Sequence, residues 1–395
     1  MKNNKRIYVY VEDTPVHRDV VAHGLYRASS PILRSIHDAI DGIAIYSAGP
    51  WFDDADIDPD LFPLCSRMPR LPTLLCKALH RYPALDPGIS RTLPPLLLAP
   101  AVRRSPADTL FSIIGADVSN LTRAARLAKR AGKSHAVYLV DDFLAPLRLA
   151  GASEAAVQSA KAEAGAALRS ASHVFTITEG LGEYIRSTYG VASTTTLRLA
   201  FEPSPRPMLP VKNQILYVGG INFLYADGLR DLFKAVERVR NASGVDLTVR
   251  LTQNATTASR VLGELPPFVV SAPVETAEGL AAEIASSLFA FLPYTFDPRH
   301  RTMVSTSFPS KSMEYLAYAR SIVVYGPDYG VATQRFRAAA LPSVVSSPAE
   351  LEEMIRMHLI APPDNSSLYR EHLASSHSLA ATRRTLFTGL GLELD

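Results

Sequence analysis

Short apolar runs alternate with helical patterns along the first half of the chain. The apolar runs that read as strands lie at 6–11, 40–48, 109–114, 135–140 and 173–178. The helical patterns lie at 117–132, 153–171 and 179–190. Asp117 or Ser119 can cap the first of these helices and Gly132 can end it. Strands that alternate with helices are typical of βαβ units, so we expect an α/β domain with a doubly wound parallel sheet.

The same alternation restarts after a proline-rich segment. Four prolines fall within 200–213, which predicts an interdomain linker. Further strands are predicted at 214–220, 245–252, 267–272, 288–294 and 321–326, and further helices at 227–239, 276–287 and 347–359. A last helical pattern at 366–390 has no strand after it. We therefore expect domains at 1–205 and 206–365, and a helical tail at 366–395 that packs back on the first domain.

Composition and charge favour a globular protein and narrow its partners. The 395 residues are 47% hydrophobic and 20% charged, with a net charge of +3. So small a charge argues against a nucleic-acid partner, which calls for a strongly basic face. The two cysteines, Cys65 and Cys76, belong to no CxxC or Cys/His cluster, so we expect a reducing compartment and no metal site. The first apolar run is too short for a signal-peptide core, which favours a cytoplasmic location.

The segment FPSKSMEYLAYA at 308–319 places a lysine and a glutamate three positions apart, just before the predicted strand SIVVYG. A helix N-terminus offers unpaired N–H groups and a partial positive charge, which suit a phosphate. Pro309 fits a first helical turn, and Ser307 or Ser310 can cap it. Lys311 would add a cation for a diphosphate. A Lys–Glu pair on a solvated helix face would give the same spacing, so both interpretations stay open.

This segment resembles the donor-binding region of GT-B glycosyltransferases, particularly the family 4 (group 1) enzymes. Their pattern is similar there: a Pro/Lys loop, Glu-Tyr/Ala-Leu/Met-Ala, Gly, and Pro-Val-Val. LYVGG at 216–220 is similar to the first strand and loop of that family's second domain, and 167–191 resembles its last units before the linker. The order of elements matches over nearly the whole chain. The resemblance implies two Rossmann-like doubly wound domains that face a central cleft, and a metal-independent hexosyltransferase.

The resemblance also implies where the donor binds. Glu314 matches the glutamate that accepts two hydroxyl hydrogen bonds from the donor ribose, and the glycines of GGINFLYADG at 219–228 would form a wall beside the sugar diphosphate. The expected donor-binding residues are Gly219, Gly220, Asn222, Tyr294, Arg299, Arg301, Ser310, Lys311 and Glu314.

The chain departs from the family pattern at several of its positions. Thr306 replaces a second glutamate, Gly220 and Asp227 lie near the usual Arg and Lys, and Ala319 and Ser321 replace Gly and Pro. The stereochemistry of transfer therefore stays open. The loop DPRHRT, with its two arginines, would supply the missing positive charge, unless it is simply a solvated basic loop.

Loops at the ends of predicted first-domain strands carry the candidate catalytic groups. Ligands of doubly wound sheets gather at the carboxyl ends of the strands. VDDF at 140–143 offers Asp141 and Asp142, where related enzymes often carry His-Asp. Either carboxylate could polarise an acceptor hydroxyl, although capping and turn formation are equally good uses. His17, in the loop after the first strand, is the second choice.

Residues 61–104 are both basic and apolar. Seven Lys or Arg residues face one acid, Asp86, and leucines lie between them. This combination suits a peripheral contact with an anionic membrane, on its inner, cytoplasmic face. A helical excursion packed on the sheet, with its cations merely solvated, would look the same.

Together these features predict a glycosyltransferase that moves a sugar from a nucleotide diphosphate sugar to a hydroxyl of a saccharide or lipid-linked acceptor, in cell-surface polysaccharide assembly. The nucleotide sugar is a co-substrate, and no resident cofactor is expected. A nucleotide-sugar epimerase and a non-catalytic scaffold of GT-B shape are the alternatives.

Overall fold

The computed structural model describes residues 6–11, 25–45, 65–67 and 89–393. Within them the chain divides into two compact units, one formed by 1–200 with 379–395 and the other by 201–378. The sequence placed the domain boundaries after 205 and after 365.

The first unit contains a seven-stranded, wholly parallel sheet in the order β3-β2-β1-β4-β5-β6-β7. Its strands are β1 (Ile7–Val11), β2 (Ile40–Ile45), β3 (Cys65–Arg67), β4 (Thr109–Ile114), β5 (Ser134–Leu139), β6 (His173–Thr176) and β7 (Thr195–Thr196). Its α-helices are Leu25–Ser35, Ile89–Arg104, Val118–Ala131, Leu144–Leu149, Glu154–Arg169, Glu179–Tyr189 and Leu379–Leu390, and His37–Ala39 is a 3-10 turn.

The helix after β4 shows how local sequence sets these bounds. Asp117 caps it, because its carboxylate accepts the Ser119 N–H at 2.8 Å. Gly132 ends it in the left-handed region, at φ 69°. Both caps confirm the prediction, and the helix then leads into β5, which pairs with β4 in the parallel register Phe111 with Ala136.

The second unit contains a six-stranded parallel sheet in the order β10-β9-β8-β11-β12-β13. Its strands are β8 (Lys212–Tyr217), β9 (Thr248–Leu251), β10 (Val269–Ser271), β11 (Ser287–Pro293), β12 (Ile322–Tyr325) and β13 (Val344–Val345). Its α-helices are Ala226–Ser243, Ala255–Leu262, Ala277–Ser286, Arg301–Thr306, Ser312–Tyr318, Val331–Ala338, Pro348–Ile360 and Ser366–His377, and Pro298–His300 is a 3-10 turn.

Both sheets have the Rossmann strand order, in which the direction of winding reverses beside the first strand. In the second sheet the reversal lies between β8 and β11. All seven residues of β11 are buried, and helices Ala226–Ser243 and Pro348–Ile360 pack together over the sheet core around Phe289 and Phe291. The predicted pair of Rossmann-like domains is thus confirmed.

The C-terminal helical pattern divides at Ser378, and its halves belong to different units. Ser366–His377 packs on the second unit, beside Ser312–Tyr318. Leu379–Leu390 packs against Leu25–Ser35 of the first unit. The last helix therefore confirms the prediction of a C-terminal helix that packs back on the first domain, and it forms the second half of the predicted helical tail.

None of the helices that the structure describes combines the length and apolarity required of a membrane span.

Candidate functional site

The carboxyl ends of β8 and β11 define the most promising site in the second unit. Ligands of open α/β sheets bind outside these ends, where the strand order reverses. The residues that follow β8, 218–225, and those that follow β11, 294–300, meet at this edge: Thr295 N donates to Leu224 O at 2.8 Å.

The loop after β8 contains two adjacent glycines, and hydrogen bonds to the residues that follow β9 fix its backbone. Gly219 has φ +93°, a conformation that L side chains rarely adopt. Its N–H donates to Thr252 Oγ1 at 3.0 Å, and Ile221 N–H donates to Gln253 Oε1 at 2.8 Å. A Cβ placed on Gly220, which is exposed, would meet no atom within 4 Å. The loop thus faces open space with a fixed backbone.

Lys311 lies against this loop through two aromatic rings. Its ammonium is 3.7 Å from the ring centroid of Tyr217 and 4.0 Å from that of Tyr225. The residue is only 7% exposed, and the rings provide cation–π stabilisation for the buried charge. Tyr217 donates its hydroxyl to Gly220 O at 2.7 Å, and burial raises the pKa of Tyr217 well above 10.0, which keeps it a neutral donor. A cation is therefore fixed beside the glycine loop.

Glu314 follows one turn later, on a helix that is joined to both strand ends. The hydroxyl of Tyr315 accepts the Val218 N–H at 2.8 Å and donates to Phe291 O at 3.3 Å. Glu314 is 8% exposed, so the Lys–Glu pair is not on a solvated helix face. The alternative interpretation of this spacing, an ordinary surface pair, is wrong.

The start of this helix differs from the prediction. It spans seven residues from Ser312, and Lys311 is at the N-cap position without a side-chain cap. Pro309 and Ser310 precede the helix and form a turn, in which Met313 N–H donates to Ser310 O at 3.1 Å. The predicted caps at Ser307 and Ser310 are therefore wrong. So short a helix contributes little dipole, which leaves Lys311 as the main source of positive charge on this segment.

Two other predicted donor residues support the backbone around the site. Asn222 Oδ1 accepts the Leu224 N–H at 2.9 Å, and Asn222 O accepts the N–H groups of Tyr225 and Ala226, which starts helix Ala226–Ser243. Tyr294 is fully buried and donates its hydroxyl to Ser307 O at 2.5 Å. This bond links the end of β11 to the segment that carries Lys311.

The arginines of the loop after β11 are engaged locally. Arg299, whose side chain is 83% exposed, pairs with Asp297 at 2.5 Å. Hydrogen bonds from Arg299 lower the pKa of Asp297 to about 2, so both side chains are ionised at neutral pH and their charges cancel. The Arg301 guanidinium lies 4.4 Å from the ring centroid of Tyr329. His300 stacks on Phe223 at 4.7 Å.

Thr306 and Asp227, two of the positions where the chain departs from the family pattern, form hydrogen bonds within the second unit. Thr306 is 2% exposed and donates to Thr302 O at 2.8 Å. Asp227 accepts the Thr295 hydroxyl at 2.6 Å and lies in the first turn of its helix, where a carboxylate is favourable. That helix start therefore already carries a negative group.

In the first unit, Asp142 and Asp141 follow β5 at its carboxyl end. Asp142 is 2% exposed, and its carboxylate accepts the N–H groups of Leu144 at 3.2 Å and Ala145 at 2.8 Å. Burial is the main cause that raises the pKa of Tyr184 and Tyr189, and the negative charge of Asp142 is the second cause. Asp141 is half-buried. His17 lies outside the described residues.

Sequence reasoning missed three tyrosines of this site. Tyr217 and Tyr225 flank the glycine loop and enclose Lys311, and Tyr315 joins the helix to β8 and β11. The signal was present as aromatic residues directly before VGG and ADG and directly after Glu314, but these positions also fit ordinary core packing. Among the described residues no group of three or more His, Cys, Asp or Glu side chains could hold a metal ion.

The chain resembles solved structures over nearly its whole length. Sucrose-phosphate synthase from Thermosynechococcus elongatus has a TM-score of 0.64 at 14% identity, covering 97% of this chain and 98% of that one. Trehalose 6-phosphate synthase from Burkholderia multivorans has a TM-score of 0.62 at 12% identity, covering 98% and 97%. Anabaena HepE, solved with UDP and glucose, has a TM-score of 0.64 at 11% identity, covering 98% and 99%.

No protein-family model matches the chain, and no curated protein matches it. At these identities the structural likeness establishes architecture. The chain is a two-unit α/β protein of the Rossmann type. More particularly, it has the GT-B fold, as the resemblance in the sequence predicted.

Proposed function

We propose that the protein is a glycosyltransferase that moves a sugar from a nucleotide diphosphate sugar to a hydroxyl group. The observation that carries this proposal is the buried pair Lys311 and Glu314 at the strand-order reversal of the second unit. The GT-B fold supports it, since the similar structures are named as sugar-phosphate synthases, and HepE was solved with UDP and glucose.

Each side chain has a distinct part in donor binding. The Lys311 ammonium would offset the negative charge of the diphosphate, both in the bound donor and as the sugar–phosphate bond breaks. Glu314 would accept hydrogen bonds from the two ribose hydroxyls. The open space beside Gly220 would hold the diphosphate or the sugar. This scheme requires no metal ion and no resident cofactor.

We infer that the acceptor is a saccharide or a lipid-linked saccharide of cell-surface polysaccharide assembly, and that the protein works at the inner face of the membrane. Helix Ile89–Arg104 is the C-terminal part of the basic and apolar segment 61–104. On this helix Leu96 is 47% exposed and Leu97 is 42% exposed, and Arg103 and Arg104 are also exposed. Residues 61–64 and 68–88 lie outside the described residues.

Liposome flotation tests this membrane contact. The protein should float with anionic vesicles at low salt and less so at high salt, because exposed charges are screened. Replacing Leu96 and Leu97 with Ser should reduce flotation further. Wild-type protein that stays at the bottom at low salt would instead favour a soluble acceptor.

A panel of nucleotide sugars tests the donor. A thermal-shift screen with UDP, GDP, dTDP, ADP and CMP sugars should show stabilisation by at least one donor, since a ligand that binds the folded state raises its apparent stability. UDP-glucose is the first choice, because the similar structure of HepE was solved with UDP and glucose. A scaffold would show no shift with any donor, and an epimerase would convert the donor without an acceptor.

Charge-removing variants test the two side chains. Lys311→Met keeps a long apolar side chain between the rings, and Glu314→Gln keeps the shape of the carboxylate. Each should weaken binding of the selected donor by about 1–3 kcal/mol, the scale of a charge-assisted hydrogen bond. Titration calorimetry measures this loss, with Lys234→Met, an exposed lysine on the helix after the loop, as control. Unchanged affinity in both variants would remove the donor assignment.

A further inference from the structure

A groove opens at the amino-terminal edge of the first sheet, between helices Val118–Ala131 and Glu154–Arg169. Its cavity volume is about 670 Å³, which is within the range of small-molecule sites. Ser134 and His135, at the start of β5, line it together with alanines from both helices. Because the strands are parallel, this edge is opposite the carboxyl ends that carry Asp141 and Asp142. The groove thus lies apart from the predicted chemistry of its own unit.

Positive charge predominates along the groove. Arg126, Lys129 and Lys133 line it, and Glu163 is the one acidic residue in its lining. Lys133 is anchored, because its ammonium donates to Ser105 O at 2.9 Å. Arg126 and Lys129 are exposed. The lining therefore has an excess of two positive charges when all four groups are ionised.

These cations are not needed to cap the helix that carries them. A basic residue in a last helical turn often offsets the helix dipole or bonds a free carbonyl. Here Lys133 N–H already donates to Ala128 O at 2.9 Å, and Gly132 N–H donates to Lys129 O at 3.3 Å. Arg126 lies a turn before the end of the helix.

His135 provides a second, independent observation. The residue is 6% exposed, and its Nε2 lies 2.9 Å from the hydroxyl of Ser112. Its Nδ1 is buried and has no hydrogen-bond partner among the described residues. Burial lowers the pKa of His135 to about 4, so the ring is neutral at neutral pH. When Ser112 donates to Nε2, the buried Nδ1 carries the proton, and the residue that carries it lines the groove.

We propose that this groove binds a phosphorylated small molecule, with its phosphate monoester near Arg126 and Lys129 and in contact with the N–H of His135. A buried N–H without a partner is unfavourable, and an anionic oxygen would satisfy it. The dianion of a phosphate monoester matches the excess of two positive charges, and the alanine walls suit the carbon part of the molecule. This inference is independent of the proposed transferase function.

Titration of the full-length protein with glycerol 3-phosphate tests the site. With ¹⁵N-labelled protein, the His135 Nδ1 resonance, assigned by its loss in His135→Gln, should shift in a saturable manner. Glycerol, which lacks the phosphate, should leave it unchanged. Because the signal comes from His135 itself, phosphate binding that leaves the groove unchanged does not produce it, and the double variants below localise the binding to the groove.

Matched double variants test the part played by charge. Arg126→Gln/Lys129→Gln should weaken glycerol 3-phosphate binding at least about tenfold, as expected for the loss of charge-assisted contacts. Arg130→Gln/Lys161→Gln removes the same number of charges from the two helices that flank the groove, outside its lining, and should bind as the wild type does. Absence of a saturable His135 shift would overturn the proposal, and so would equal weakening in both double variants.

Discussion

At the scale of single residues, the two adjacent glycines after β8 have different roles: Gly219 serves the backbone fold, and Gly220 leaves space for the proposed ligand. Gly219 requires glycine because of its φ of +93°, whereas Gly220 has no such conformation and faces open space. The fold therefore needs the first glycine for its backbone. The second glycine keeps the space free, which is a requirement of the proposed donor and not of the fold.

Substitutions at these glycines should affect different properties, stability at Gly219 and donor affinity at Gly220. Gly219→Ala should destabilise the protein by about 1–2 kcal/mol, the cost of a left-handed conformation for an L residue. Gly220→Leu should change the free energy of unfolding by less than about 0.5 kcal/mol, as is usual for an exposed site. Its side chain should nevertheless weaken donor binding at least about tenfold. Urea unfolding and donor titration measure the two quantities. Undiminished donor affinity in Gly220→Leu would place the donor elsewhere.

The first-unit carboxylates can be distinguished by the same approach. Asp142 directly precedes the N-cap residue Phe143 of helix Leu144–Leu149, and its carboxylate accepts two backbone N–H groups of the first turn, as a capping side chain does. Asp141, half-buried and next to it, is the better candidate for polarising an acceptor hydroxyl.

We expect Asp142→Asn, which keeps an oxygen acceptor, to retain turnover, and Asp142→Ala to lose about 0.5–2 kcal/mol of stability as a cap does. Asp141→Asn should lower kcat by about 10²–10⁴, the usual contribution of a general base. Thermal unfolding and initial rates with the donor identified in the panel measure these effects. If Asp142→Asn is the inactive variant, its carboxylate is catalytic despite its burial.

At the scale of elements, periodicity identified most of the long units, but it missed the 16-residue helix Ile89–Arg104 and the 11-residue helix Leu25–Ser35 as well as the short units. The helix 118–131 and strands β4 and β5 were predicted to within a residue, because caps and apolar runs are local signals. Strands β7 and β13 have two residues each, too few to show a period of two. Helix Ala255–Leu262 has eight residues and also escaped prediction.

The candidate site was predictable in its charged pair but not in its geometry. Lys311 and Glu314 were recognisable from the segment 308–319. The helix start at Ser312 was not, because contacts distant in sequence fix it, such as Tyr315 with Val218 and Tyr294 with Ser307. Local capping preferences at Ser307 and Ser310 do not outweigh such contacts.

The last helix is attached to the first unit by an ion pair with a defined pH dependence. Arg383 donates to both carboxylate oxygens of Asp38, at 2.5 and 2.7 Å. This hydrogen bonding lowers the pKa of Asp38 below 3.8, against the effect of its burial. A carboxyl group whose pKa is lowered by folding stabilises the fold at pH values above its ordinary pKa. That contribution is lost as the pH falls through the pKa of the folded state.

Arg383→Met should therefore be less stable than the wild type at neutral pH, by up to about 1 kcal/mol for a partly exposed pair. The difference should shrink as the pH falls below 3.8. Urea unfolding at several pH values measures it, with Arg384→Met, the exposed neighbour, as control. A difference that is constant with pH would show that Arg383 acts through packing on Phe387, which it overlies at 4.0 Å.

At the scale of the whole molecule, the second unit is an insertion in the first. Residues 201–378 are continuous, whereas the first unit needs both 1–200 and 379–395. The two ends of the second unit lie side by side, since Phe201 N–H donates to His377 O at 2.8 Å. The last helix in turn buries Leu386 and Phe387 fully in the first unit, and Gly389 packs so closely on Phe175 that a Cβ there would lie 2.4 Å from its ring.

This topology predicts that the two units differ when expressed alone. Residues 201–378 should fold and bind the donor selected by the full chain, because Gly219, Lys311 and Glu314 all belong to this unit. Residues 1–200 should be destabilised, since each missing apolar side chain of the last helix removes about 1.5–3 kcal/mol of burial. Joining 379–395 to residue 200 through a flexible linker should restore cooperative unfolding, which calorimetry and near-UV circular dichroism measure. An isolated 1–200 as stable as the joined protein would mean that the last helix is dispensable, and a folded 201–378 unable to bind the donor would show that the donor site is incomplete within this unit.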